Sequence, residues 1–267
     1  MLSDKQRQRP DMSTFFANDV STTARRLIVS WVVCLSSVIA PFGAAHAEIQ
    51  WAGSLALTSD YIQQGLSQTQ GEPALQGGLR AQIDQRWTVG AWASQIDRYH
   101  GQRTSTEIDL YAARTWRLSP AWVTSLTATH YFYPNELPYV SYDYDELAAS
   151  LGYRSTVYAT VAWSPNYGEA SYEGFADDRT VLSYELSANQ PILASWSGNV
   201  GVGYRDLSDL FDERYWYGHA GLMHSTDRLT IHLTYTYVDH TARELFGHDR
   251  AAITWLGTVI WRFGSLR

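Results

Sequence analysis

Four carboxylates, Glu107, Asp109, Glu146 and Glu185, and two guanidinium groups, Arg80 and Arg117, each stand beside an apolar residue in segments that alternate apolar and polar. His232 sits the same way between Ile231 and Leu233. A spacing of two puts such side chains on one face of an extended strand, with the aliphatic residues on the other. Strands that surround a common space would line it with these charges. Rings of acidic side chains in a water-filled passage favour cations, whereas pairing with Arg80 and Arg117 would fill the passage and close it. Other chemistry is harder to assemble. His219, His224, His232, His240 and His248 crowd the C-terminal part among many serines, but a nucleophile needs a base within hydrogen-bond reach and a group to orient it. No spacing marks such a set, so no catalytic residue is assigned and no enzymatic activity is expected. The acidic clusters at Asp177-Asp178 and from Asp206 to Glu213 lack the spacing of a calcium loop. They read as solvated loops, and no metal or other cofactor is implied.

The ends decide which residues belong to the fold. Arg25 and Arg26 precede an apolar run from Leu27 to Ile39, then Pro41, Gly43 and Ala45-His46-Ala47. That order is a secretory leader with a small-residue cleavage site. The expectation is a leader and N-terminal extension over 1–47, starting at Met1 or Met12, and one domain over 48–267. The single cysteine, Cys34, lies in the leader, and Val33 before it does not suit a lipidation site. The chain beyond Ala47 has no thiol for a disulfide or a metal. The full sequence carries a net charge of −7 and becomes more acidic once Arg25 and Arg26 are lost. That balance argues against nucleic acid as a partner, since nucleic-acid surfaces are basic.

The elements that would position these charges are strands. Segment 229–238 sets Leu229, Ile231, Leu233, Tyr235 and Tyr237 against Thr230, His232, Thr234 and Thr236; segment 252–263 does the same. Twelve such segments occur, near 49–58, 75–84, 87–96, 107–117, 122–132, 144–153, 156–164, 180–188, 194–204, 215–224, 229–238 and 252–263. Most have the length that crosses a bilayer at a tilt of about 45°. Short connections alternate with long polar ones at 59–74, 97–106, 133–143, 165–179, 205–214 and 239–251. The expected fold is a transmembrane up-and-down antiparallel β-barrel of about twelve strands, with both termini on the short-turn side. A secreted sandwich or a lipocalin-like barrel is the soluble alternative, but neither matches strands of such uniform length. Trp51, Trp87, Trp116, Trp122, Tyr153, Trp196, Trp261 and Phe263 fall near strand ends, as interfacial girdles do. Arg114 shares the lipid face with Ile108, Leu110 and Trp116, and reads as a side chain that snorkels to the interface.

Blocks spread along the chain resemble a known family. They are Ser54 to Tyr61, Gly65 to Gln68, Glu72 to Gly78, Gly90 to Ser94, Glu107 to Tyr111, Tyr131 to Pro134, Tyr144 to Gly152 and Trp163 to Tyr167. Together they resemble the Gcw-chp, or TorF-type putative porin, family of proteobacterial outer-membrane proteins. The resemblance implies a barrel and an outer-membrane location more than an activity. In the family an arginine usually precedes the glycine of the first long loop; Gln64 stands there, so no role of that arginine carries over.

The facing then assigns Gln76, Arg80, Gln82, Glu107, Asp109, Arg117, Glu146, Ser183, Glu185, Thr230, His232 and Thr234 to the lumen. The pore-lining set is Arg80, Glu107, Asp109, Arg117, Glu146, Glu185 and His232. The function expected is passive diffusion of small polar solutes through a Gram-negative outer-membrane porin, leaning to cations or neutral molecules. Lipid, lipopolysaccharide and the barrel-assembly machinery are the expected partners. The alternatives are a plugged barrel that acts through its long loops, and an outer-membrane lipid-modifying enzyme. The first loop, 60–73, is read as a structured turn in preference to an inward constriction. The usual terminal aromatic is not last, because Phe263 precedes Gly264 to Arg267.

Overall fold

The computed structural model describes residues 49–84, 86–97, 105–134, 140–167, 171–172, 179–251 and 253–264. The leader and the C-terminal tail therefore lie outside the described residues. The chain enters the fold with β1 (Ile49–Thr58), followed by a small hairpin of β2 (Ile62–Gln63) and β3 (Leu66–Ser67). Long strands come next as β4 (Ala74–Ile83), β5 (Trp87–Ile96), β6 (Ser105–Arg117) and β7 (Trp122–Phe132). After β8 (Val140–Ser141) come β9 (Tyr144–Tyr153) and β10 (Val157–Tyr167), and after β11 (Ser171–Tyr172) come β12 (Arg179–Leu193) and β13 (Trp196–Leu207). A short helix α1 (Ser208–Phe211) leads to β14 (Glu213–Ser225) and β15 (Leu229–Val238); α2 (His240–Phe246) leads to β16 (Thr254–Gly264).

Twelve of these strands close into an antiparallel barrel, with β1 pairing both β4 and β16. Closure leaves no open edge, which is what a bilayer demands of a sheet. Along each strand, alternate residues point away from the axis and carry the aliphatic and aromatic belt. Leu55, Leu57, Leu79, Leu110, Val161, Leu186, Val200, Leu222, Leu233 and Val259 are all exposed. Trp196 and Tyr204 mark the two ends of this belt on β13, roughly 26 Å apart along the strand at about 3.3 Å per residue. That span is of the order of the apolar band of a transmembrane barrel. Among the described residues, no helix is long and apolar enough to cross a membrane; the strands do it. A twelve-stranded, up-and-down transmembrane β-barrel is the architecture of this chain.

Departures from the sequence expectation concentrate at the long-loop end. There β6, β10, β12, β13 and β14 run beyond the expected bounds, and two helices stand where only loop was expected. The second is readable in retrospect: the Asp239 carboxylate caps α2 by accepting from the Ala242 amide, and Gly247 ends it at φ 79°. At the short-turn end, the region expected as the turn 189–193 is mostly strand. Pro191 pairs with Ser197 just before a register shift, a position where a missing N–H is tolerated.

Arg114 faces outward, with its guanidinium carbon 5.1 Å from the ring centres of both Trp87 and Trp116. Such stacking contributes about 0.5–1 kcal/mol, comparable to the cost of about 0–1 kcal/mol for an arginine near the interface. Arg114→Ala should therefore change stability by no more than about 1 kcal/mol, whereas Val200→Arg at mid-belt should cost about 2–4 kcal/mol. Urea unfolding of the barrel refolded into lipid vesicles reads both; equal effects would contradict this placement of the belt.

Candidate functional site

The inner wall has two chemically distinct halves. In the long-loop half, Glu107 and Asp109 stand on β6, Glu146 on β9 and Glu185 on β12. Tyrosines surround them. Tyr131 and Tyr144 stack at 4.3 Å, and Tyr144 meets Tyr167 edge-on at 4.7 Å. The Tyr131 hydroxyl donates to Glu146 at 3.5 Å and the Tyr217 hydroxyl to Glu185 at 3.1 Å. One carboxylate oxygen of Asp109 is buried without a hydrogen-bond partner among the described residues.

Arg205, on β13, brings a cation to this layer. It lies over the Tyr167 ring at 4.7 Å, donates to the Tyr215 hydroxyl at 3.4 Å and is the electrostatic neighbour of Glu146. The expectation from sequence assigned the pairing role to Arg80 and Arg117. The register puts Arg80 beside Ala52 and Gly90, and Arg117 beside Val123, both toward the short turns and away from the acidic layer. His232 also lies in that half, beside Thr258 and Met223 and near Arg262.

Large rings fit inside because glycines on the neighbouring strands make room. A Cβ on Gly203 would meet the Tyr217 ring at 2.0 Å, and one on Gly201 would meet His219 at 2.3 Å. Both contacts follow from direct cross-strand pairing. Lumenal tyrosines were missed because the sequence reading turned the apolar set as a whole to lipid.

The first long loop folds into the lumen, which corrects the preference for a structured turn over an inward constriction. Its glycines do supply positive φ, Gly65 at 83° and Gly71 at 85°, but they shape a hairpin that enters the barrel. The Asp60 carboxylate holds it together by accepting from the Ser67 and Thr69 hydroxyls at 2.6 and 2.7 Å. On one side the Tyr61 hydroxyl donates to Glu107 at 2.8 Å, and its ring meets Trp92 at 5.3 Å. On the other the Tyr215 hydroxyl donates to the Gln64 carbonyl at 3.0 Å. β6 and β14 are six places apart in a closed ring of twelve, so the hairpin spans the lumen from wall to wall. Leu66 packs there with Val181, Leu207, Tyr215, Tyr217, Val238, Ala242 and Ala251. Glu107 is 0% exposed and Tyr215 1%, so the hairpin covers both and narrows this half. Burial and the nearby Glu107 and Asp109 push the Tyr61 hydroxyl well above its ordinary pKa, which keeps it a donor.

Below this layer, in the short-turn half, a cavity of about 940 Å³ remains, lined among others by Ser54, Gly78, Arg80, Trp92, Tyr111 and Arg262.

An apolar belt outside, a polar wall inside and a loop folded across the lumen define a transmembrane β-barrel. The chain belongs to the family described as "Bacterial protein of unknown function (Gcw_chp)", whose pattern matches residues 43–262. No curated protein sequence matches it. Among solved structures it is similar to one from work on the in-meso crystallization of membrane proteins, with 9% identity and TM-score 0.52 over 80% of this chain and 83% of that one. It is also similar to the KdgM porin, with 6% identity and TM-score 0.49 over 81% and 99%. An outer membrane channel from Pseudomonas putida F1 gives 10% identity and TM-score 0.47 over 81% and 95%. At such identities the likeness concerns the fold.

Proposed function

We propose that this protein is a porin-like channel of the Gram-negative outer membrane, passing small polar solutes, with cations or neutral molecules preferred at its long-loop mouth. The leader over 1–47 is removed near Ala47, and the barrel-assembly machinery inserts the rest among phospholipid and lipopolysaccharide. The observation that carries the reading is the layer of Glu107, Asp109, Glu146 and Glu185 on the inner wall, above an open cavity. Fixed carboxylates at a narrow point raise the local cation concentration and repel anions. Size exclusion and this charge are the whole mechanism, with no covalent step.

A channel in a planar bilayer under a KCl gradient should show discrete steps and a cation-leaning reversal potential. Replacing Glu107, Glu146 and Glu185 by Gln and Asp109 by Asn together should move that potential toward anions. An unchanged potential would remove the carboxylates from selectivity.

A second reading has its own observation, the hairpin fixed to opposite walls. In it the barrel stays closed and the long loops do the work. A folded, heat-modifiable barrel that never conducts would favour it.

A further inference from the structure

The cavity in the short-turn half is framed by cations. Arg80 on β4 and Arg262 on β16 flank β1, which pairs with both strands: Ala52 lies beside Arg80, and Ser54 beside Arg262. Their strands are two spacings apart, roughly 10 Å. The wall between them is made of small residues, Ala52, Ser54 and Gly78, which leaves the space above it empty. Arg228, in the turn between β14 and β15, adds a third guanidinium to the lining. Asp227 is the one carboxylate among the lining residues. No acidic side chain lies within ion-pair distance of Arg80, Arg228 or Arg262 among the described residues. Both Arg80 and Arg262 are exposed to the cavity, and Arg262 is steadied by donating to the Thr230 hydroxyl. Next to Arg80, on the neighbouring strands β5 and β6, Trp92 and Tyr111 complete the lining.

We propose that this cavity is an anion-binding site for a small solute carrying a carboxylate or phosphate group, held between Arg80 and Arg262 with its remainder against Trp92 and Tyr111. Guanidinium is the side chain best shaped for either group, because its planar fork offers parallel N–H donors. A barrel interior screens such charges less than bulk water does. The aromatic rings suit a solute with a short carbon skeleton over a bare inorganic ion. Trp92 also touches Tyr61 of the hairpin, so an occupied site lies directly beneath the element that narrows the mouth. The site does not depend on the barrel conducting, so its failure and that of the channel reading are separate results.

Equilibrium dialysis of the refolded full chain in detergent, with radiolabelled succinate and separately with inorganic phosphate, tests it. The expected result is saturable binding near one site per chain, weakened at least tenfold in Arg80→Gln/Arg262→Gln and by added salt. Succinate binding in preference to phosphate assigns a carboxylate solute; the reverse assigns a phosphorylated one. Heat-modifiable mobility reports whether the double variant folds. If it does not, Trp92→Ala takes its place, with weakened binding expected there too. The proposal is overturned if neither probe saturates on the wild-type chain at millimolar concentration. Binding that survives in a folded variant overturns it equally.

Discussion

Replacing residues 61–70 by a short glycine–serine linker is expected to raise single-channel conductance several-fold without unfolding the barrel. Eight-stranded barrels are filled by their own side chains and sixteen-stranded ones are open, so at twelve strands whatever lies inside decides. Here the hairpin lies inside, tied to β6 through Tyr61 and Glu107 and to β14 through Tyr215 and the Gln64 carbonyl. A milder change should act in the same direction. Gly65 has φ 83°, and a Cβ there would fall 2.5 Å from the Tyr217 Cβ and 2.6 Å from the Val238 side chain. Val at this position meets left-handed strain of about 1–2 kcal/mol and two clashes, of which the one with the Tyr217 Cβ cannot relax by side-chain rotation. Besides the Tyr61 and Gln64 contacts, the Ser67 amide donates to the Arg250 carbonyl, the Asp97 amide to the Gln68 carbonyl and the Gln70 side chain to the Asp97 carbonyl, each worth about 1 kcal/mol. Gly65→Val should therefore shift the hairpin from its seat and raise conductance, by less than excision does because the outer anchors and Leu66 still hold it. If both variants carry wild-type current, the hairpin is not the constriction.

The barrel was legible because alternation is a local property. Strands β1, β5, β7, β9 and β15 match their expected bounds, since a face that meets lipid must be apolar at every second residue whatever the loops do. The inward hairpin was not legible, because its position depends on Glu107 and Tyr215, far away in sequence. Interior tyrosines were hidden by their amphipathic nature: Tyr217 can belong to a lipid face or, with its hydroxyl on Glu185, to a lumen. The usable signal was the glycine opposite two of these rings, Gly203 for Tyr217 and Gly90 for Tyr111. Arg205 stands on the polar face of its segment but was left out of the expected lumenal set for a related reason. It fell at the expected end of a strand, where a charge reads as loop, and only the extension of β13 to Leu207 places it inside the wall.

Arg205→Met is expected to be among the more destabilising single substitutions in the lumen, at roughly 1–3 kcal/mol, because it leaves the buried groups around it without their cation. Arg205 is only 6% exposed. It faces Tyr167, Tyr215 and the electrostatic influence of Glu146 from three different strands. A methionine of similar length fills the space but returns none of the charge. Most of the loss should therefore be recovered in Arg205→Met/Glu146→Gln, where neither charge remains. The double-mutant cycle, read by urea unfolding in lipid vesicles, separates electrostatic pairing from packing. A loss that persists in the double variant would make Arg205 a packing residue, stacked on Tyr167 and little more. Conductance gives an independent view of the same charge. Losing this cation from the acidic layer should make Arg205→Met more cation-selective than wild type, whereas Arg205→Lys, which keeps the charge but not the planar stack, should hold the selectivity and give up part of the stability.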